Sequence, residues 1–314
     1  VRLAYFPNIT HAVGLVGVAQ GAFQKALGEA VALEVKTFNA GPAVIESLWA
    51  DEIDIAYVGP SPAINGYVRS RGESLHVIAG ASSGGAFFVV RSGANINTAK
   101  DLDGKTLATP QKGGTQDVAL RHYLRQHGLT STDEGGTVTI MPTQNPDILT
   151  LFKKGEIDGA WVPEPWGTRL LQEANGAIFI DERDQWPNGA FITTLVIVDS
   201  AFLKERPDLV KKFLAAHVDV VRFVQNEPDE AKTIVNQEIE RITTSPLPDK
   251  VIDAAFANVD FTYAPLAKTL FVSADYAFDL GFLGDVKPGL SGLYDVTLLN
   301  EVLKEKGLPA VEAK

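Results

Sequence analysis

The sequence predicts an α/β fold of two similar lobes, and three observations carry that prediction. A stretch of the chain recurs at an offset of 104 residues, strand-like and helix-like patterns alternate through both copies, and 314 residues exceed one average domain of roughly 100 to 200.

The copies can be followed element by element. RLAYF (2 to 6) and TLATP (106 to 110) read as first strands, each opening into a polar loop and then a helix, near His11 in one copy and Thr115 in the other. LEVKTF (33 to 38) and TVTIMP (137 to 142) read as second strands, each entering a helix. VIESLWADEIDIAYV (44 to 58) and ILTLFKKGEIDGAWV (148 to 162) carry the strongest likeness, with Glu, Ile and Asp at 52 to 54 and again at 156 to 158. In each, apolar residues at i and i+4 (Val44/Leu48, Ile148/Phe152) mark a helix, and small and branched residues after a tight turn mark a buried strand. The strands run into GPSP (59 to 62) and PEPW (163 to 166). Each half therefore reads β-α-β-α-β, a unit that forms a parallel sheet with right-handed crossovers. FFVVRSG (87 to 93) marks the lobe boundary and FITTLVIVD (191 to 199) the return. Residues 1–88 plus 194–314 are thus expected to form one lobe and 89–193 an inserted second, joined by crossing strands. After Asp199 the pattern turns to helices over 202–226, 228–242, 248–258 and 266–280, expected to pack on the first lobe.

Composition bounds the function. With 45% hydrophobic and 21% charged residues the chain is an ordinary globular sequence, and a net charge of -11 argues against nucleic acid or an anionic bilayer as partner. The absence of cysteine excludes disulfides, thiolate catalysis and zinc-thiolate sites. Val1 opens directly on a strand-like run, so the chain reads as one trimmed of a leader segment, and no run approaches the roughly 18 apolar residues of a membrane span.

Ligands of open parallel sheets bind beyond the carboxyl ends of the strands, where helix-start amides are free. In KGGTQD (112 to 117), Gly113 and Gly114 permit unusual backbone angles, and Thr115 is the expected N-cap of a helix that ends at Gly128. Its amides suit an anion, with Gly114, Thr115 and Gln116 as donors and Asn8, Thr10 and His11 of NITH offering the same from the other lobe. Plain helix capping is the competing account of both loops. ASSGG (81 to 85) brings Ser83 and Gly84, GPSP brings Ser61, and FITT (191 to 194) brings Phe191 and Thr193. Glu164 and Trp166 of PEPW stand at the mouth, and Glu164 or Asp117 would pair an ammonium, cap a helix or bridge the lobes. GPSP is not a nucleophile elbow, because Ala63 stands where glycine is needed and Pro62 alters the turn. AKDLDGKT (99 to 106) imitates the tail of a phosphate loop without its first glycine, and the five histidines include no i, i+4 pair, so neither metal nor cofactor is expected.

With these loops in hand, the chain resembles the nitrate, sulfonate and taurine class of periplasmic-binding proteins that serve ABC importers. The likeness is carried by YFPNITHA (5 to 12), FNAGPAVIESL (38 to 48), EIDIAYVGPSPA (52 to 63), VIAGASSGG (77 to 85), DLDGKTLATPQKGGTQDVALRHYL (101 to 124), GEIDGAWVPEPW (155 to 166) and DSAFLKERPDLVKKFL (199 to 214). The resemblance implies a type II periplasmic-binding-protein fold with the ligand cleft between the lobes, capture by lobe closure, delivery to a membrane permease, and a place in the periplasm or on a lipid anchor outside the cell. It carries Thr10, His11, Ser61, Ser83, Gly84, Thr115, Gln116 and Asp117 into the site. The expected ligand is an aliphatic sulfonate or a taurine-like amino sulfonate, bound by a monomer without cofactor. Its head would sit on Thr10, Thr115 and Gln116, its organic part on Trp166 or Phe191, and any amine on Glu164 or Asp117. Nitrate, bicarbonate or a small heterocycle remain alternative ligands. A thiamine-pyrimidine-synthase-like enzyme using Lys112 or His11, or a sensor module, are the readings from other classes.

Overall fold

Inner strands covered by helices on both faces bury every side chain, so they are short runs of small and branched residues. In the computed structural model, which describes residues 1–312, the first half runs β1 (Arg2–Tyr5), α1 (Ala12–Ala19), α2 (Ala22–Leu27), β2 (Glu34–Thr37), α3 (Gly41–Trp49), β3 (Ile55–Val58), α4 (Pro60–Arg69) and β4 (Leu75–Gly84). β5 (Ala86–Arg91) opens the second half, followed by β6 (Thr106–Thr109), α5 (Thr115–Gln126), β7 (Thr139–Pro142), α6 (Asn145–Lys154), β8 (Gly159–Pro163), α7 (Trp166–Glu173) and β9 (Gly176–Asp181). β10 (Ile192–Asp199) returns to the first sheet, and the tail contains α8 (Ser200–Glu205), α9 (Pro207–Asn226), α10 (Pro228–Thr243), α11 (Asp249–Ala257), β11 (Val259–Phe261), α12 (Ala267–Asp279) and α13 (Thr297–Glu305).

The offset of 104 holds down to the pairing register. Leu3 and Ala4 of β1 face Ile55 and Ala56 of β3, and Leu107 and Ala108 of β6 face Gly159 and Ala160 of β8. The repeated acid has a structural cause. Asp54 accepts the backbone N–H of Arg2 at 2.7 Å and Asp158 that of Thr106 at 3.0 Å, satisfying the free donor where the first strand begins. Arg2 and Arg91 add an ion pair to each acid.

The sheet orders are β11-β4-β10-β3-β1-β2 and β7-β6-β8-β5-β9. Within these parallel sheets the crossing strands run the other way, β10 antiparallel to β3 and β4, and β5 antiparallel to β8 and β9. A strand arriving from the other lobe enters at the cleft end of its sheet, and so must run against the strands that end there. The change of sheet falls at Gly84 and Gly85, both with positive φ, and the return at Ile192. Val89, where the second lobe was expected to begin, lies in the middle of β5.

The tail departs from expectation in three places. Pro207 splits the helix expected over 202–226 into α8 and α9, with Asp199 capping α8 through the Phe202 N–H at 2.8 Å. β11 adds a strand to the β4 edge inside what read as helix only, and α13 is additional. One face of the first sheet is covered by α1, α2, α9, α10, α11 and α13, and the other by α3, α4 and α12. The second sheet packs α5 on one face and α6 with α7 on the other. Among the described residues no helix is long and apolar enough to cross a membrane.

Candidate functional site

The carboxyl ends of β1, β2 and β3 face those of β6, β7 and β8 across one cleft, and the starts of α3, α4, α5 and α6 open onto it. A cavity of about 40 Å³ lies between them. One wall holds Asn8, Thr10, His11, Asn39 and Gly59, the other Gly114, Thr115, Gln116 and Asn145, and the crossing strand β10 adds Thr193 and Thr194. That space takes roughly three water-sized groups, the scale of a small head group.

No lining residue carries a formal charge. Burial pushes the pKa of His11 down to about 3, so its ring is neutral at physiological pH. Its Nδ1 accepts the Phe6 N–H at 3.3 Å, which leaves the single proton on Nε2 and makes the ring a donor. Thr115 Oγ1, Asn145 Oδ1 and Thr194 Oγ1 are buried against this cavity without a protein partner. Thr115 was expected as the N-cap of α5. Gly114 takes that position and Thr115 begins the helix, so its hydroxyl is not used in capping. A side chain at residue 59 would place its Cβ 2.3 Å from Thr115 Oγ1, so glycine is what lets the lobes approach this closely.

Several expected contacts serve other purposes. Asp117 is fully buried and accepts from Thr109 Oγ1, Gly113 N and Arg121 Nε, so it ties down the loop before α5 and the middle of that helix. Glu164 accepts from the Thr168 N–H and hydroxyl and, across the cleft, from Asn258 Nδ2 at 2.7 Å. Burial raises its pKa against the pull of these bonds. Neither carboxylate lines the cavity, and the bonds they make are those of the capping and bridging alternatives. Trp166 likewise bridges the lobes, donating from Nε1 to Asn8 Oδ1 at 2.9 Å, and Phe191 stacks on Trp186. Ser83 Oγ accepts the Phe191 N–H, and Gly84 O accepts the Thr193 hydroxyl, so both belong to the joint between the crossing strands. Trp166, Phe191, Ser83 and Gly84 do not line the cavity, and Ser61 opens onto a neighbouring chamber.

The family model that matches this chain covers residues 1–238. The chain belongs to the NMT1-like family. Among curated relatives of this NMT1-like chain, the taurine-binding periplasmic protein of Escherichia coli (strain K12) is 26% identical over 214 residues, which is 68% of this chain. The match spans 63% of that protein, a little under two thirds of its length. Among solved structures, the alkanesulfonate-binding protein SsuA from Xanthomonas axonopodis pv. citri bound to MOPS superposes with a TM-score of 0.75 at 15% identity, covering 92% of this chain and 96% of that one. The periplasmic nitrate-binding protein NrtA from Synechocystis PCC 6803 gives 0.77 at 13% identity, covering 99% and 91%. At such identities the two structures establish the fold, the two-lobed arrangement of periplasmic binding proteins.

Four polar residues of the NMT1-like cleft, Asn39, Gln111, Asn145 and Thr194, escaped the sequence reading. Gly41–Pro42 and Asn145–Pro146 stand 104 apart at the starts of α3 and α6, and this offset was the signal that would have brought in the β2 and β7 loops with Asn39 and Asn145. Thr194 was missed for another reason. The pairing of β10 with β4 shifts register on both sides of Thr194, so Thr193 and Thr194 reach one cavity although a regular strand would send them to opposite faces. Among the described residues no group of three or more His, Asp or Glu side chains could hold a metal ion.

Proposed function

We propose that this chain is the binding component of an ABC importer and that its cleft captures a small organic anion, an aliphatic sulfonate. The observation that carries this reading is a cavity of uncharged polar groups set at helix starts, with two buried hydroxyls, Thr115 Oγ1 and Thr194 Oγ1, still unpartnered and free to donate. Charge taken out of water needs such donors, and helix-start amides supply them without a competing carboxylate. The names of the relatives, for taurine, alkanesulfonate and nitrate, fall in the same ligand chemistry. The cavity itself offers an ammonium no carboxylate, so the sulfonate end is the part it would hold.

Capture would proceed by closure of the lobes about Gly84–Gly85 and the segment before Ile192, with residues up to 84 and from 192 onward on one side and 86 to 191 on the other. The protein would work as a monomer on the outer side of the membrane and deliver to a permease. Isothermal titration with ethanesulfonate, taurine, nitrate and bicarbonate tests the ligand. Binding of ethanesulfonate that weakens in Thr115→Val and Thr194→Val supports the reading, and flat traces for both sulfonates remove it.

The enzyme reading has little support. Lys112, its candidate for a reactive amine, pairs with Asp133 at 2.7 Å on the exposed surface and does not line the cavity. Incubation with pyridoxal phosphate should leave no Schiff-base absorbance attributable to Lys112.

A further inference from the structure

On the other side of Thr115 lies a second chamber of about 50 Å³. Its walls are aromatic, formed by Tyr123, Trp161, Trp186 and Tyr276, with the His122 ring stacked on Tyr276 at 3.5 Å between centroids. Trp186 and Tyr276 stand 6.0 Å apart at 45°, and Tyr123 and Trp161 6.1 Å apart at 62°. Rings inclined in this way border a rounded space, whereas a flat heterocycle needs a parallel slot.

Glu182 alone among the lining residues carries a formal charge. It is buried, and Trp161 Nε1 donates to it at 2.7 Å. Among the described residues no cation pairs with it, and burial pushes its pKa up to about 7. Three buried polar atoms of the walls also lack a protein partner: Ser61 Oγ, Thr115 Oγ1 and His122 Nε2. Burial lowers the pKa of His122, so the wall brings no positive charge of its own.

We propose that this chamber binds a compact organic ammonium group, held by cation–π contact with its rings and by the Glu182 carboxylate. Its volume takes roughly four water-sized groups, close to a trimethylammonium head. The group has two possible sources. It is either a free alkylammonium ion or the cationic end of a zwitterion whose anionic end lies in the cleft across Thr115, and only the second rests on the proposed function.

The test is titration of the whole chain at pH 8, where Glu182 is mostly ionised, with tetramethylammonium chloride against a matched sodium chloride control. Heat and tryptophan fluorescence are expected to saturate, and Glu182→Gln and Trp186→Leu each to weaken binding roughly tenfold. Trp186 is only half-buried, so its variant keeps the test informative should Glu182→Gln fail to fold. No saturation beyond the control, or unchanged affinity in the folded variants, overturns the proposal. Trimethylammonio-propanesulfonate, compared with propanesulfonate and tetramethylammonium, separates the sources. Binding at least about tenfold tighter than either part identifies a ligand spanning both spaces, and binding no tighter than tetramethylammonium identifies a free amine. Tetramethylammonium binding with propanesulfonate silent removes the sulfonate reading of the cleft and leaves the chamber assigned.

Discussion

The two lobes begin alike, each handing the first strand's N–H to the repeated aspartate, but among their buried histidines and carboxylates the largest shifts caused by burial fall on opposite kinds of group. In the first lobe these are His11 and His217, with pKa values pushed down to about 3 and about 4; in the second it is Glu182, pushed up to about 7. His217 bridges Tyr57 OH and Gly80 O at 2.8 Å each, and Glu182 takes the Trp161 N–H. The difference separates what the repeat must keep from what it is free to change. Main-chain pairing and the aspartate that supports it recur, because any shift of register would turn buried side chains outward. Side chains around the cleft and chamber diverge, because no main-chain pairing constrains them.

That contrast predicts opposite pH responses. The histidines hold folded pKa values below their unfolded 6.5, so their contribution is full above about 6.5 and is lost as pH falls toward 4 and below. His217 alone accounts for about 3 kcal/mol of this, and in urea unfolding from pH 8 to 4 His217→Gln should flatten that part of the slope. Glu182 has a folded value above its unfolded 4.5. Its contribution is full below about 4.5 and is lost as pH rises to about 7 and beyond, again about 3 kcal/mol. Glu182→Gln should therefore reduce the loss of stability on the neutral side, and slopes of the same sign in the two lobes would break the comparison.

The shared aspartates sharpen the comparison in a smaller range. Asp54→Ala should cost about 2 kcal/mol, because the Arg2 N–H at the strand start loses its buried acceptor while the Arg2 side chain keeps Asp51. Asp158→Ala should cost about half as much, its side chain being 24% exposed; equal midpoint shifts in urea would deny the difference. Gly59→Ala should leave stability nearly unchanged but weaken ligand binding at least about tenfold, by holding the lobes apart at Thr115. Adding Thr115→Ala should restore closure measured by X-ray scattering. Trp166→Phe should cost the closed form about 1 kcal/mol through the lost bond to Asn8, read as a greater open fraction in the same measurement.

Much of this was legible in the sequence, for identifiable reasons. Residues 2 to 58 and 106 to 162 repeat with one offset because both build the same parallel core, and burial on two faces leaves a strong apolar signal. The cleft loops followed from strand ends, and of the residues named for it Asn8, Thr10, His11, Gly114, Thr115, Gln116 and Thr193 line the cavity. β11 was not legible, since three residues between helices form a strand only because the β4 edge is there to pair with. Thr194 depended on an irregular register, whereas Asn145 was marked by the repeat of Gly41–Pro42 as Asn145–Pro146.

The sequence by itself therefore determined the two α/β lobes, their common register and the loops that meet, because periodicity and main-chain pairing are local constraints written into residue order. Only the tertiary structure decided which polar groups remain free. Asp117 and Glu164 look like ligand partners in one dimension, yet Arg121, Thr168 and Asn258 satisfy them. Glu182, unremarkable in the sequence, lies among aromatic rings contributed by β8, α5, α12 and the segment before β10. A carboxylate's availability depends on what long-range packing places beside it, and no local pattern encodes that.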